Sequence, residues 1–402
     1  MALIQIKPPA AAESARTYPP VSAQHPLWGM AFRPLYPAAA VFGAFSVLLW
    51  IAVYHQWLPQ PANPLWHAHE MIWGYTGAVI VAFLLTAVAT WTGQPRWHGR
   101  PLMVLLALWL GARLMPLTLP GALAGTAFYW LAAALMGYSV WQSRNRRNYI
   151  AVAALFCFGL GHALFNAAYL QADGARLGDY LLAGLILAAG FIGLIGSRVI
   201  PFFTARRLNT PQTASPAWLM GAPLWLPMTA AALLAAQSLP LTAAVCLTAC
   251  GIIGLVQTVR WHHARIWREP LLWTLHLGYA LTALGLAVLG AAYWLPVWKS
   301  AGIHLIAVGG IGLLTLSMMT RTALGHTGRS LYPAPRPMPA AFILMAAAAL
   351  LRLTAAITLT AAPALYRPAL AASGLLFAAA LLLFAIRYLP WLLRPRTDGL
   401  PG

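Results

Sequence analysis

Two imidazoles and a carboxylate stand together in Trp66-His67-Ala68-His69-Glu70-Met71, at the mouth of a long apolar run. Imidazole binds metals and exchanges protons near neutral pH. Ionisable groups at membrane depth are expensive enough to read as functional. Glu70 is one of only 6 acidic residues in 402. His162, His276, His304 and His326 lie in or beside other apolar runs, and Arg113, Arg198, Arg352 and Arg367 fall inside them. Imidazoles facing one another across helices can ligate haem iron or copper. Arginines at low dielectric suit anionic groups such as haem propionates.

The elements that position these side chains follow from composition. The chain is 61% hydrophobic and only 8% charged, against about a quarter charged in soluble domains, so it is an all-α polytopic membrane protein. A net charge of +19 raises the question of nucleic acid, but a phosphate-tracking surface gathers its charges on one face or tail. Here they are spread between apolar runs, which excludes nucleic acid and makes the lipid bilayer the partner. Twelve runs are long enough to approach or cross about 30 Å of hydrocarbon: 37–56, 66–92, 101–116, 122–142, 149–170, 179–200, 217–236, 239–259, 271–295, 300–320, 339–359 and 364–388. The third and seventh are short.

Basic residues then orient the bundle, because Lys and Arg accumulate in cytoplasmic loops. Alternate loops hold nearly all of them, and the opposite loops hold only Arg176 and Lys299. Both termini are expected in the cytoplasm. The domain organisation is a disordered tail over 1–24, one transmembrane helical domain over 25–392 and a second tail over 393–402. The first 24 residues have no apolar core of a signal peptide. Cys157, Cys246 and Cys250 all sit in apolar runs, which argues against a disulfide framework.

Depth follows from the 1.5 Å rise per residue. Asn63 is a good N-cap and Pro64 suits the first helical position, so His67 and His69 lie about one turn inside the outer end. Two residues apart is opposite faces of a helix, and one ion cannot take both. Glu70 shares a face with His67 at spacing three, where a carboxylate would fix the tautomer of the imidazole. His304 enters the tenth run at matching depth and is the natural partner of His67. His162, two thirds of the way out along the fifth run, joins the same layer. His276 and His326 fall toward the cytoplasm. An unbroken helix separates His304 from His326 by about 33 Å, so the histidines form an outer and an inner layer. In 196–204, glycine allows close backbone approach and Pro201 ends the span just after Arg198.

Plainer roles compete with each residue. A single helix histidine is by default a hydrogen-bonded structural group, and the clustering is what argues for more. His25, His55, His98, His262 and His263 lie in tails, loops or span ends and read as structural. Glu70 at the start of a helix also favours the dipole. Cys246 and Cys250 share a face and suit a soft ion, although buried thiols more often serve as small hydrophobes. Aromatic belts account for most of the 18 Trp.

With these residues in hand, the chain resembles the NnrS family, bacterial inner-membrane proteins associated with nitric oxide stress and denitrification and described as containing haem and copper. The resemblance runs from Pro26 to Arg387. It is carried by Phe32-Arg33-Pro34, by the Trp66 to Met71 motif, by 83–88 with Trp91-Thr92, by Arg198 to Thr204, by 270–273 with His276, and by Leu324 to Arg329. It implies a haem- and copper-binding inner-membrane protein, the haem of b type, with His67, His69, His276, His304 and His326 as ligand candidates. Nitric oxide or a small redox partner is the implied partner.

Two other functions compete. A proton- or anion-coupled transporter would use buried Glu, His and Arg as a path, yet no carboxylate lies near the midplane. A nitric oxide reductase-like enzyme, an oxidoreductase, would need histidines paired on one helix face, and none is evident. Haem–copper oxidases also use twelve-helix, histidine-rich subunits, which is an analogy of fold alone.

Overall fold

The computed structural model describes residues 22–59 and 62–400, apart from the side chains of 359–361. The tail expected over 1–24 therefore lies, for residues 1–21, outside the described residues. Among them there is no strand, and the chain is a helix bundle. Its helices are α1 Phe32–Tyr54, α2 Pro64–Thr92, α3 Arg100–Leu114, α4 Leu119–Gln142, α5 Tyr149–Leu170 and α6 Gly174–Leu208. There follow α7 Ala217–Ala235, α8 Pro240–Trp261, α9 Pro270–Ala291, α10 Pro296–Gly325, α11 Pro337–Ala361 and α12 Pro363–Leu392.

Eleven of these are long and apolar enough to cross a membrane. The exception is α3, whose 15 residues rise only about 22 Å. It nevertheless runs between the two ends of the bundle. Its first residues meet the start of the described chain, where the Gly99 amide donates to the Trp28 carbonyl at 2.8 Å. Its last turn carries Arg113 to Glu70, near the opposite end of α2. The seventh run, short in the sequence, forms a 19-residue helix that qualifies.

The two ends of the described chain lie together. Arg33, fully buried at the start of α1, donates from Nη1 to the carbonyls of Leu392 (2.9 Å) and Arg394 (2.8 Å). These are orphan acceptors at the end of α12, where a cation also complements the helix dipole. The residues after α12 dock onto the end of α10, with the Thr397 amide on Thr327 O at 3.1 Å and Arg396 Nη1 on His326 O at 3.1 Å. This end of the bundle, holding both ends of the described chain and most of its arginines, is called the terminal end below; the other is the distal end.

Two helices are unwound where chemistry was expected. In α2 the α-helical turns stop at His69 and a π-helical segment follows over Glu70–Thr76. In α10 they stop at His304, and a π-helical segment follows over Leu305–Gly312. Such segments are rare and recur at functional sites. The cap of α2 forms as its sequence dictates, with Asn63 Oδ1 accepting from the Trp66 amide at 2.8 Å.

One boundary is corrected. Pro201 does not end its span, because α6 runs on for 35 residues in all to Leu208. A proline removes one backbone hydrogen bond, and the turns beyond it are completed by Arg206 and Arg207 against the dipole and by a left-handed Asn209. Small residues set the close contacts. A Cβ on Gly285 of α9 would stand 2.9 Å from the Gly302 carbonyl of α10. The two backbones therefore touch two residues before His304.

Candidate functional site

The two imidazoles of α2 leave the helix in different directions and enter different surroundings. His67 turns toward α1, stacking on Trp50 with ring centroids 5.1 Å apart and planes 15° apart. It lines a cavity of about 330 Å³ together with His304 of α10, Arg352 of α11, and Tyr54, Tyr366 and Ser373. The rest of that lining is mostly aliphatic and aromatic. Residues 237 positions apart in sequence, as His67 and His304 are, thus face one space at the distal end.

Hydrogen bonds orient this cavity. His304 Nδ1 lies 2.8 Å from the Ser300 carbonyl, so it carries the proton and leaves the Nε2 lone pair free to accept. That lone pair accepts from Arg352 Nη2 at 3.2 Å, and the same Nη2 lies 3.3 Å from Ser300 Oγ. Two atoms of the cavity side chains remain buried with no partner among the described residues: His67 Nδ1 and Arg352 Nη1. A buried polar group left unpaired costs about 1–3 kcal/mol, and more if charged. Each atom therefore keeps a bonding capacity that no described residue meets.

His69 turns the other way, toward α4 and α5. Its Nδ1 is 2.7 Å from Glu70 Oε1, and the other carboxylate oxygen accepts from Arg113 Nη1. Glu70 therefore does not orient His67, as spacing three had predicted. Its countercharge, Arg113, lies on the His69 side, and a carboxylate only 1% exposed must follow it. Arg113, expected beside a propionate, is committed to Glu70 and lies over the Phe42 ring at 5.8 Å.

His162 joins His69 rather than His67. The rings are 5.2 Å apart, within a shell of Trp73, Tyr129 and Phe165. The Nε2 atoms of both histidines lie 3.3 Å from Asn166 Nδ2, while His162 Nδ1 is 3.0 Å from Thr126 Oγ1. Gly125 makes room, since a Cβ there would meet His162 Cε1 at 2.5 Å. Two imidazole lone pairs thus converge on one amide. No group of three or more His, Cys, Asp or Glu side chains able to hold a metal occurs among the described residues.

The inner histidines are not brought together. His276 Nδ1 bonds to Leu272 O at 3.0 Å and its Nε2 lies 3.5 Å from Thr204 Oγ1 of α6. His326 packs on Phe32 of α1, centroids 5.7 Å apart. Burial, and then the charges of Arg396, Arg33 and Arg96, hold its imidazole below the ordinary range. Arg198 reaches Asn148 Oδ1 at 3.4 Å and borders a polar cavity of about 230 Å³ with Arg147 and residues 212–215. No histidine lines that cavity. Cys246 and Cys250 lie on α8, and all three cysteines are free thiols.

Asn166 and Trp50 were not singled out in the sequence, and Arg352 appeared there only as one arginine inside a span. The depth of Arg352 matched that of His304, which was a usable signal; nothing local marked Asn166.

A family profile described as NnrS protein matches residues 26–396. No curated protein matches the chain. The match covers nearly all of the described bundle, including both outer histidine sites and the terminal-end motifs, and the chain belongs to the NnrS family.

Proposed function

We propose that this protein is a haem-binding and copper-binding membrane protein of the nitric oxide response, working by ligand binding or redox chemistry at histidine-ligated metal. Family membership supports the nitric oxide response; a role in denitrifying cells is the finer part of the proposal. The terminal end would face the cytoplasm, because the arginine-rich loops gather there, and the membrane would be the bacterial inner membrane. The observation that carries the haem reading is the cavity shared by His67 and His304, with its unpartnered His67 Nδ1 and Arg352 Nη1.

That cavity suits the group. Its volume of about 330 Å³ lies within the roughly 300–1,000 Å³ of cofactor and ligand sites, which are apolar with a few convergent polar groups. His67 and His304 would supply imidazole, Arg352 would meet a propionate, and Trp50 would hold the His67 ring. A bound haem would supply an iron centre able to bind a diatomic ligand and change oxidation state. Ser300 fixes the His304 tautomer through its carbonyl, which puts the lone pair on Nε2; as a ligand atom Nε2 would give up its bond to Arg352 Nη2, freeing that group for a propionate.

His69 and His162 would hold the copper. Two imidazoles converging on Asn166 suit a cuprous ion of low coordination number better than a closed four-ligand site. Transport is the weaker reading: a proton relay needs a carboxylate free to change partners, and both Glu70 oxygens are occupied by His69 and Arg113. The reductase-like reading would use the same two sites.

The experiment is a visible spectrum of purified protein, oxidised and reduced, with metal analysis. A Soret band altered by His67→Ala and His304→Ala but unchanged by His276→Ala and His326→Ala is expected. Copper content should fall in His69→Ala and His162→Ala. Protein from haem-replete cells with no Soret band would sink the haem reading.

A further inference from the structure

Beneath the His67–His304 cavity the same three helix faces continue into a second space. On α2 the cavity ends at Ile72 and the second space begins at Thr76; on α6 it passes from Leu185 to Ala188; on α10 from Val308 to Ile311. Each step is three or four residues, about one helical turn. The two spaces are therefore stacked along one axis between α2, α6 and α10.

The lower chamber has about 100 Å³ of room and its lining is aliphatic and aromatic, with Val79, Phe191 and Leu275 on its walls. Tyr36, Thr76 and Thr315 are its polar lining residues, and the hydroxyls of Thr76 and Thr315 are already bonded to Met71 O and Tyr75 Oη. No charged side chain lines it. An apolar cavity of roughly 150 Å³ stays dry and takes xenon or benzene, so a chamber of this size and lining selects against water, ions and large cofactors.

Its walls also open sideways. Along α2, Ile80, Phe83 and Ala87 are half-buried and Thr90 is exposed; along α6, Ile192, Ile195 and Val199 are half-buried and Phe202 is 43% exposed. Alpha-helical spacing puts each series on one stripe, and both stripes widen toward the terminal end. In a bilayer the midspan residues of both stripes, Ile80, Phe83, Ile192 and Ile195, would meet acyl chains.

We propose that this chamber admits a small, uncharged, apolar ligand of diatomic size from the bilayer and leads it to the His67–His304 cavity. The inference rests on the reading of that cavity as a haem site. Uncharged diatomics concentrate in hydrocarbon, and a lateral entrance delivers them to the buried imidazoles without admitting water.

The test uses the full-length protein in detergent, with xenon and carbon monoxide as probes. Ile311→Phe narrows the junction and Ile195→Trp fills the mouth; neither residue touches the histidines. In a xenon-pressurised structure, xenon is expected between Val79, Phe191 and Ile311, and absent in Ile311→Phe. Carbon monoxide recombination after flash photolysis should slow about tenfold in both variants, equal to about 1.4 kcal/mol on the entry barrier, with the Soret band unchanged. Absence of xenon from the wild-type chamber overturns the inference. So do recombination rates within about twofold of wild type in a variant that excludes xenon, or an ordered acyl chain filling the chamber. Protein lacking a Soret band overturns the haem reading instead, and the xenon result then decides the chamber alone.

Discussion

Replacing Arg113 by methionine keeps an unbranched, flexible side chain, shorter than that of arginine, and removes its charge, stranding Glu70. The pair is almost fully enclosed, with side chains 5% and 1% exposed. An exposed ion pair contributes about 0–1 kcal/mol, whereas breaking a buried one by removing a single partner costs about 3–5 kcal/mol because a charge is left without compensation. His69 Nδ1 at 2.7 Å tempers this loss, since a hydrogen bond to a charged acceptor is worth about 1.5–3 kcal/mol. Arg113→Met should therefore cost about 3 kcal/mol, toward the lower end of that range. Glu70→Gln leaves Arg113 similarly stranded, and the double variant should recover much of the loss, giving a coupling of about 1–3 kcal/mol. Denaturant unfolding in detergent, followed by tryptophan fluorescence, measures all three. A cost below about 1 kcal/mol for Arg113→Met, or strict additivity in the double variant, would refute the idea that a desolvated charge pair decides where Glu70 points.

Two further outcomes follow from the packing and the terminal end. Gly285→Val should separate α9 from α10 and cost about 1–3 kcal/mol by overpacking, and it should lower haem retention because His304 lies on the displaced segment; size-exclusion chromatography with absorbance at the Soret band reads both. The docking of 393–400 onto α10 depends on pH in two windows. Asp398, hydrogen-bonded to Arg396, is depressed from 3.8 to about 2, so its contribution is present above 3.8 and is lost as pH falls toward 2. His326, held below its ordinary 6.5 by burial and then by Arg396, Arg33 and Arg96, takes up its proton more readily unfolded, so stability falls as pH drops below about 6.5. Hydrogen exchange of the Thr397 amide should report a first weakening below pH 6.5 that disappears in His326→Gln.

Much of this protein is determined by its sequence alone, wherever the deciding interaction is local or set by the solvent. Hydropathy fixes the bundle because each apolar run must satisfy its backbone within one helix, and the alternation of arginines is a property of loops. The divergence of His67 from His69 needs only the 100° turn between neighbouring residues, and the cap at Asn63 only the residues beside it. The tertiary structure decided the rest. Whether Glu70 serves His67 or His69 depends on Arg113, 43 residues away, because at low dielectric the countercharge outweighs spacing along the helix. Asn166, which joins His69 to His162, and Arg352, which faces His304, arrive from other helices; the depth of Arg352 is legible in its span, but its pairing with His304 is not, and nothing local marks Asn166. The π-helical segments after His69 and His304 likewise arise where packing against neighbouring helices overrides the regular turn, and they lie where those neighbours bring the histidines together.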